Sequence, residues 1–530
     1  MVRLLSAERT GAHWQSRGRL ECQGMCQRFM ARRMTKMTKT ASLCGKNASC
    51  WTATAKQTDY SCLAGSLKAE TVILGAGIVG LTTALRLCEA GGSVIVLEAL
   101  RVGRQVTGRS TAKITTQHGL IYRDLMRNLG RQAAQSYADA NYAGVNQILD
   151  WTIAHRIECD LEIKPAYAYT TDAARRAEIV AEAHAARLVG LNAEVLERAP
   201  LPFDTAGALR FPDQAQFNPA QYAVGIAQAL EKLGGRIFEM SRAVSIEEAS
   251  RWRVLTDNGI VDAQNVVVAT NMTIKSPVGM ANRTQPRSHT AMAFRLDDPT
   301  LFEGLFLGID DPTRSIRTGR DDKGPLLLVL GPKFNTGQET DVAKRFVELE
   351  AWARAKLPVG DLAWRWCNED YDTPDRVPYA GEPDPDKSPG FHIATGFNAW
   401  GISNGTAAAT LIADRILGQS CPWEKLYDPA RPYDKNFHVN GESRSIVESF
   451  DEIAPGQGGV VVKGKDKIAA FRDDSGELHA VSAICTHKGC TVSWNNADRT
   501  WDCPCHGSIF TADRSPVHGP AKKPLLPVDL

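Results

Sequence analysis

The chain of 530 residues lacks three features that would point to particular classes of protein. Its formal net charge is only +2, which gives no argument for a nucleic acid, a membrane surface or an acidic partner. Its longest apolar stretch, residues 71–87, contains three glycines and an arginine, so no segment reads as membrane-spanning. No internal repeat of about 20–50 residues is visible. With 43% hydrophobic and 23% charged residues, the composition indicates a globular protein of more than one domain.

The thirteen cysteines do not form the pattern of a secreted disulfide framework. Four of them fall between Cys485 and Cys505, and the other nine are scattered from Cys22 to Cys421 without a repeating spacing. Secreted domains that depend on disulfides are short and rich in cysteine, unlike this chain. We therefore expect a cytoplasmic protein.

The first forty residues differ from the rest of the chain. They contain nine basic residues against only Glu8 and Glu21, and they show no apolar core of a secretory signal. Three interpretations stay open: an organellar transit peptide, a disordered tail, or upstream sequence translated from a misplaced start, since Met34 and Met37 follow. We expect residues 1–66 to be a disordered extension.

A glycine motif follows the first clear strand, at residues 71–74. Gly75 permits a tight turn, Gly77 lets the backbone approach a pyrophosphate, and Gly80 lets the following helix pack on the strand. Glu98 ends the next strand, eighteen residues after Gly80, where a carboxylate accepts hydrogen bonds from ribose hydroxyls. This pattern predicts a Rossmann-like α/β domain that binds FAD or NAD rather than NADP.

Later segments alternate between helical and extended patterns. Antiparallel strands are expected between residues 289 and 331, a loop at 381–390 and an inter-domain linker at 422–448. The remaining predictions are a strand at 265–270 and helices at about 131–155, 171–189, 219–233 and 403–417.

Three stretches, residues 107–113, 266–271 and 391–402, resemble segments of the D-amino-acid oxidase-like (glycine oxidase-like) flavoprotein superfamily. The resemblance implies that residues 67–421 form a discontinuous FAD domain interleaved with an antiparallel substrate domain (α+β). It also implies FAD as the cofactor. Beyond the glycine motif, the implied FAD contacts are Arg109, Ser110, Thr111, Lys113, Val244, Ala269, Thr270, Gly396, Gly401 and Ile402.

Four residues are candidates for contacting a substrate: His118, His289, Arg317 and Tyr379. His118 directly follows the segment expected along the flavin. An arginine such as Arg317 can pair bidentately with a substrate carboxylate. We therefore take His118 and Arg317 as the candidate catalytic residues.

A second constellation lies near the end of the chain. Cys485 and His487 form one pair, Cys503 and His506 form a second pair, and fifteen residues separate His487 from Cys503. Two cysteines on one iron and two histidines on the other define a Rieske [2Fe–2S] centre. A structural zinc site also takes two cysteines and two histidines, but usually with the cysteines in one pair and the histidines in the other. The spacing therefore favours the cluster.

The segments around these four residues resemble the high-potential Rieske proteins of the cytochrome bc1 type. The resemblance implies a small all-β domain at residues 449–530 and a disulfide between Cys490 and Cys505 that joins the ligand loops. It also implies that Ser508 donates a hydrogen bond to the cluster. His487 and His506 are expected to be exposed at the tip of the domain, where electrons would leave.

Together the two constellations predict an FAD-dependent dehydrogenase. It would take a hydride from a small amine, amino acid or hydroxy acid and pass electrons through the cluster to an acceptor, a carrier protein or a quinone. Three alternatives stay open: a redox sensor or assembly factor, an enzyme that acts on a macromolecule such as modified tRNA, and a flavoenzyme reduced through the cluster by an external reductase. The near-neutral charge of the folded part argues against a nucleic-acid substrate.

Overall fold

The computed structural model describes residues 43–275, 278–438 and 441–528. We call residues 44–438 the FAD part and residues 441–528 the Rieske part. Residues 1–42, to which the predictions of a transit peptide, a tail or a misplaced start apply, lie outside the described residues. Among the helices within the described ranges, none has the length and apolar character needed to cross a membrane.

The first sheet of the FAD part is built around the long strand Gly259–Val268. This strand runs parallel to Gly65–Leu74 on one side and to Phe391–Thr395 at its end. Its apolar residues Val266–Val268 are fully buried, as expected for a strand covered on both faces. The other strands of this sheet are Val94–Leu97, Arg236–Phe238, Ser245–Glu248, Trp252–Leu255 and Tyr379–Gly381.

The second sheet is mainly antiparallel and has ten strands. Its longest strands, Gln285–Arg295 and Leu362–Asp372, lie near one edge and align over nearly their whole length. Its other strands are Lys46–Asn47, Ala166–Thr170, Glu194–Leu196, Gly207–Phe211, Leu305–Gly308, Ser315–Asp321, Gly324–Leu330 and Phe334–Asn335. A third, three-stranded sheet contains Lys113–Ile114, Glu162–Ile163 and Ala215–Gln216. The chain passes between the first two sheets repeatedly, which confirms the predicted interleaving of an FAD domain with an antiparallel domain.

The α-helices pack on both of these sheets. Pro219–Lys232 shows how the sequence sets a boundary, because the side chain of Asn218 accepts hydrogen bonds from the Ala220 and Gln221 amides and Pro219 occupies the first turn. The other helices are Cys50–Thr54, Ile78–Glu89, Val106–Arg109, Tyr122–Leu129, Arg131–Ala154, Arg176–Leu188, Val342–Lys356, Ser403–Ile416 and Glu424–Tyr427. Short 3₁₀ turns occur at Ala173–Arg175, Met280–Asn282, Pro299–Leu301 and Phe450–Glu452.

The Rieske part contains two four-stranded sheets, as expected for a small all-β domain. The first has the strands Ile446–Val447, Gly458–Lys463, Asp466–Arg472 and Leu478–Ser482. The second has the strands Ser493–Asn495, Thr500–Asp502, Ile509–Thr511 and Pro516–His518. Because Ile446–Val447 already pairs with Gly458–Lys463, this part begins a few residues before the predicted boundary at 449.

The prediction that residues 1–66 form a disordered extension is wrong for their last third. Lys46–Asn47 pairs with the strand Leu362–Asp372, and the helix Cys50–Thr54 buries Cys50 and Trp51. The Trp51 indole donates a hydrogen bond to the Ser110 carbonyl oxygen at 2.9 Å. This segment is short and aperiodic, so its order depends on contacts with distant parts of the chain.

The predicted linker 422–448 is also more ordered than its composition suggests. Tyr427 is fully buried, and the Arg431 guanidinium pairs with Asp375 at 2.8 Å and lies 3.8 Å from the centre of the Tyr379 ring. The segment is therefore packed on the FAD part up to at least Arg431.

The burial of Trp51 generates a test of the structured N-terminal segment. Only 1% of Trp51 is exposed, so Trp51→Ala should lower the free energy of unfolding by about 3 kcal/mol through cavity formation and loss of the bond to Ser110. Chemical denaturation followed by fluorescence measures this. The control Ile153→Ala removes a side chain that is 74% exposed and should change stability by about 0.5 kcal/mol or less. Equal stability of the two variants would contradict the packing described here.

Candidate functional site

A cavity lies at the carboxyl end of the first sheet, above the glycine turn. Gly75 has a φ of 107°, and a Cβ there would lie 2.6 Å from the Ala269 carbonyl oxygen, so only glycine fits. A Cβ on Gly77 would come within 3.0 Å of the Thr107 hydroxyl. The backbone is therefore open to a ligand at the N-terminus of the helix Ile78–Glu89, where a phosphate is stabilised.

Glu98 lies in the wall of this cavity and is held by backbone donors. Its carboxylate accepts hydrogen bonds from the Ala76 amide at 2.7 Å and the Leu100 amide at 2.9 Å. Burial raises the pKa of Glu98, and the two amide bonds oppose that effect. The Glu98 carboxylate is thus fixed beside the glycine turn, in the position predicted from the sequence for a group that binds the ribose hydroxyls.

Four buried polar atoms in the wall of the cavity have no partner among the described residues. They are Asn271 Nδ2, Asn368 Oδ1, Asp370 Oδ1 and His518 Nε2. Unpaired buried polar atoms are costly, so a wall with four of them is expected to face a polar ligand. Together with the glycine cradle they fit the phosphates, ribose and ring edge of FAD.

The segment 108–113 runs along the inner end of the cavity and is fixed by three side chains. The Ser49 hydroxyl donates to the Gly108 carbonyl at 2.6 Å, and the Trp51 indole donates to that of Ser110. Arg317 donates to the carbonyls of Thr111 at 2.6 Å and Ala112 at 2.7 Å. Arg317 is 2% exposed and lies outside the residues that line the cavities described here, so its place differs from the predicted substrate contact. Its Nε and Nη1 donors are used by backbone carbonyls.

A second cavity adjoins the first. Six residues line both and mark the junction where a flavin ring and a substrate would meet: Ser110, Thr111, His289, Leu330, Ala399 and Ile402. Burial lowers the pKa of His289 to about 4, so its imidazole is neutral there.

Lys113 lines the second cavity and is 8% exposed. Its Nζ donates to the Phe306 carbonyl at 2.9 Å and the Ser315 hydroxyl at 2.5 Å. Burial, and then the positive charge of Arg317, lower its pKa to about 7. A substantial fraction of the amine is therefore neutral at about pH 7.

His118 also lines the second cavity, but both of its ring nitrogens are used by the protein. Nε2 donates to the Thr115 carbonyl at 2.8 Å, so Nδ1 accepts from the Tyr137 hydroxyl at 2.7 Å. Burial lowers the pKa of His118 to about 3. This arrangement is that of a positioning residue rather than a base. Tyr379, another predicted candidate, is buried under Arg431 and lies outside the lining of both cavities.

The predicted FAD contacts divide into two groups. Those that line the first cavity are Gly75, Gly77, Glu98, Arg109, Ser110, Thr111, Ala269, Thr270, Gly401 and Ile402. Those placed elsewhere are Gly80, Lys113, Val244 and Gly396. Gly80 packs under the Gly75 carbonyl, Val244 donates to the Leu255 carbonyl, and Gly396 packs against the Thr373 side chain. Arg242 and Ala243 line the cavity in place of Val244.

The four predicted cluster ligands converge in the Rieske part. The thiols of Cys485 and Cys503 are free and buried. The rings of His487 and His506 lie 4.9 Å apart at 86°, and within the described part of the chain the buried Nδ1 atom of each has no hydrogen-bond partner. Burial lowers the pKa of His487 to about 4 and that of His506 to about 3, so both rings are neutral. Two thiols and two unpaired imidazole nitrogens fit a [2Fe–2S] cluster.

The resemblance to high-potential Rieske proteins also implied a disulfide, and the structure contains it, between Cys490 and Cys505. Ser508 is fully buried in the second ligand loop, and its hydroxyl oxygen accepts from the Ala521 amide at 3.1 Å. This bond ties the loop 519–521 to the ligand loop and leaves the Ser508 proton available to a cluster sulfide.

The prediction that both ligand histidines are exposed is wrong for His506. The ring of His438 stacks on it at 5.2 Å and 4°, and the Tyr371 hydroxyl donates to its carbonyl oxygen at 3.1 Å. His506 is therefore 4% exposed, whereas His487 is partly exposed. The difference arises because the second ligand loop packs on the strand Leu362–Asp372, and sequence reasoning treated the Rieske domain as standing alone.

His518 was missed by sequence reasoning and connects the two cofactor sites. It belongs to the Rieske part, yet it lines the first cavity, where its Nε2 has no hydrogen-bond partner among the residues that the structure describes. Its ring stacks on that of Tyr371 at 6.3 Å. Burial lowers the pKa of His518 to about 4, with Arg109 and Arg242 acting in the same direction. Its position at the end of the strand Pro516–His518 gave no sign in the sequence of a flavin-side contact.

Comparison with known proteins agrees with both sites. The model of the FAD dependent oxidoreductase family matches residues 70–415, and the Rieske [2Fe-2S] domain model matches residues 444–528. The chain belongs to the FAD-dependent oxidoreductase family. Over 503 residues it is 30% identical to YhfW of Bacillus subtilis, a protein named for a Rieske 2Fe-2S centre, covering 91% of this chain and 97% of YhfW.

Each part also has relatives of its own. The gamma-glutamylputrescine oxidoreductase of Escherichia coli is 23% identical, covering 69% of this chain and 87% of that protein. The cytochrome b6-f iron-sulfur subunit of Chlorobaculum thiosulfatiphilum is 40% identical over 86 residues, which are 15% of this chain and 48% of the subunit. Glycine oxidase from Geobacillus kaustophilus shares the fold, with a TM-score of 0.58 and 16% identity over 69% of this chain and all of that one. FAD and a [2Fe–2S] cluster are therefore the cofactors of this oxidoreductase.

The assignment of the cluster ligands generates a direct test. Cys503→Ser should abolish the iron content and the visible absorption of the cluster while FAD is retained, because a hydroxyl replaces a thiolate ligand. Iron and flavin are quantified on the purified variants. The control Cys88→Ser changes a buried free thiol of the FAD part and should keep both cofactors. A Cys503→Ser protein with full iron content would contradict the assignment.

Proposed function

We propose that this oxidoreductase is a dehydrogenase that takes a hydride from a small amine, amino acid or hydroxy acid and passes electrons singly through the cluster to an acceptor. The observation that carries the proposal is the position of His518. It lines the FAD cavity and stacks on Tyr371, whose hydroxyl bonds the main chain of the cluster ligand His506. Bound FAD would accept the hydride, and the cluster would accept electrons one at a time.

Lys113 supports a substrate that carries an amine. A neutral amine has two N–H donors and one lone pair, and the contacts with Phe306 and Ser315 use both donors. The lone pair is then free to take a proton from a substrate ammonium group, which must be neutral before it can lose a hydride. A base is most effective when its pKa lies near the working pH, as that of Lys113 does.

The names of the relatives point to the same substrate class. They refer to gamma-glutamylputrescine, which is an amine, and, among proteins that share the fold, to glycine and L-proline. L-Proline dehydrogenase from P. horikoshii aligns with a TM-score of 0.58 and 18% identity over 70% of this chain and 98% of that one. Amines and amino acids are therefore the first compounds to test, followed by hydroxy acids.

The proposal is tested by anaerobic stopped-flow spectroscopy of the holoprotein with a panel of these compounds. A substrate should bleach the flavin band, and the cluster spectrum should change afterwards. Flavin and cluster that stay oxidised with every compound would contradict the proposal in favour of a sensor. Reduction of the cluster before the flavin by an external reductase would support inward flow of electrons instead.

The route between the cofactors is tested by His518→Leu. Removal of the ring that bridges the FAD cavity and Tyr371 should slow cluster reduction about tenfold relative to the flavin reduction that precedes it, equivalent to about 1.4 kcal/mol in the barrier. The control His479→Leu changes an exposed histidine of the Rieske part and should alter neither rate. Equal effects of the two variants would argue against this route.

The role of Lys113 predicts a pH dependence. Because its pKa is lowered to about 7, the amine is neutral and able to accept a proton above that pH and is charged below it. Flavin reduction by an amine should therefore be about tenfold slower at about pH 6 than at its plateau, and Lys113→Met should lower the plateau by about a hundredfold. Lys333→Met is the control, because Lys333 lines the same cavity but pairs with Asp372 at 2.6 Å. A pH profile unchanged by Lys113→Met would exclude this base.

A further inference from the structure

The two histidine ligands of the cluster face different surroundings. His506 is enclosed by His438 and Tyr371 on the FAD side, whereas His487 is partly exposed. An electron that enters the cluster from the FAD part would therefore leave through His487, the more exposed ligand. The residues around His487 therefore determine what kind of electron acceptor can bind there.

Three exposed lysines surround the loop that carries His487. Lys488 follows the ligand directly, and the Lys467 ammonium donates to the Thr491 hydroxyl at 2.8 Å. The Thr486 hydroxyl donates to the Lys523 carbonyl oxygen at 2.7 Å, which places Lys523 on the other side of the loop. We call Lys467, Lys488 and Lys523 the lysine face.

The charge of the lysine face is not neutralised by carboxylates that the structure describes. None of the three lysines forms an ion pair with an acidic side chain in residues 43–275, 278–438 or 441–528. Asp466 precedes Lys467, but the same hairpin also carries Lys463 and Lys465, so the net charge of the hairpin remains positive. The chain as a whole has a net charge of only +2, so this concentration is local.

Two large apolar side chains are exposed within this face. Ile484 is 38% exposed, and its backbone bridges to Thr491. Leu526 is 63% exposed, and its carbonyl oxygen accepts from the Ser482 amide at 2.8 Å. A small apolar centre with a charged rim is the arrangement of a protein interface, in which the charges steer the partner and the apolar contact holds it.

We propose that the lysine face is the docking surface for an acidic one-electron carrier protein, which takes the electron at His487. The inference rests on the proposed function, since it assumes that electrons leave through the cluster. In each transfer the cluster loses one electron and the carrier gains one, and no bond forms or breaks. An uncharged quinone would gain nothing from three ammonium groups that have no carboxylate partner among the described residues, whereas an acidic protein would be attracted by them.

The test uses the holoprotein with its cluster reduced by dithionite, so that no substrate is needed. Oxidised plastocyanin, an acidic copper carrier, is mixed with it under anaerobic conditions, and basic cytochrome c serves as the probe of opposite charge. The rate constant for plastocyanin should exceed that for cytochrome c at low salt and should fall as salt rises. The triple variant K467E/K488E/K523E should lower the plastocyanin rate by about tenfold or more.

A matched variant separates a docking surface from an effect of net charge. K56E/K232E/K356E makes the same charge change at exposed lysines of the FAD part and should keep most of the wild-type rate. Isothermal titration with redox-inactive, cadmium-substituted plastocyanin should show binding that only the lysine-face variant loses. Equal losses in both triple variants, or equal rates for the two carriers, would overturn the proposal. The proposal would also be overturned if a soluble quinone oxidised the cluster faster than plastocyanin does and at a rate independent of salt, because the lysine face would then have no role in binding the acceptor. Flavin reduction by substrate, measured separately, reports on the proposed function.

Discussion

The contact between Tyr371 and the second cluster loop is the constraint on which the rest of the architecture depends. Tyr371 is fully buried in the strand Leu362–Asp372 of the ten-stranded sheet, and its hydroxyl donates to the His506 carbonyl oxygen. A Cβ on Gly507 would lie 2.6 Å from that hydroxyl, so a glycine is needed for the loop to come this close. The contact fixes which face of the cluster is covered, and it places the strand Pro516–His518 against the FAD cavity.

Polar contacts around this point make the two parts one structure. Arg109, beside the FAD cavity, pairs with Asp498 of the Rieske part at 3.2 Å, and Arg242 donates to the Pro516 carbonyl at 2.9 Å. Both arginines line the FAD cavity, so each side chain forms part of the cavity wall and also contacts the Rieske part. A shift of the Rieske part relative to the FAD part would therefore move residues that line the FAD cavity.

Site residues that are determined by short stretches of sequence could be predicted, whereas those brought together by distant parts of the chain could not. The cluster ligands were predictable because a metal centre needs particular residue types at short spacings within two loops. The glycine turn and Glu98 were predictable because a strand, a turn and a helix determine them locally. His518, Asn368 and Asp370 were not, since they meet the cavity only through contacts between distant parts of the chain. Trp51 was missed for the same reason, because its partners Ser110 and Arg317 lie far along the chain.

The placement of Arg317 also shows why residue type alone is a weak guide to a substrate site. A buried guanidinium must satisfy its N–H groups, and Arg317 does so on carbonyls of the segment that faces the flavin and of its neighbours. Its charge still acts on the cavity, because it is one cause of the low pKa of Lys113. Two buried cations side by side cannot both be charged without a large penalty, and the arginine, with the higher intrinsic pKa, keeps its proton. The arginine that was expected to bind the substrate thus lowers the pKa of a lysine that lines the second cavity.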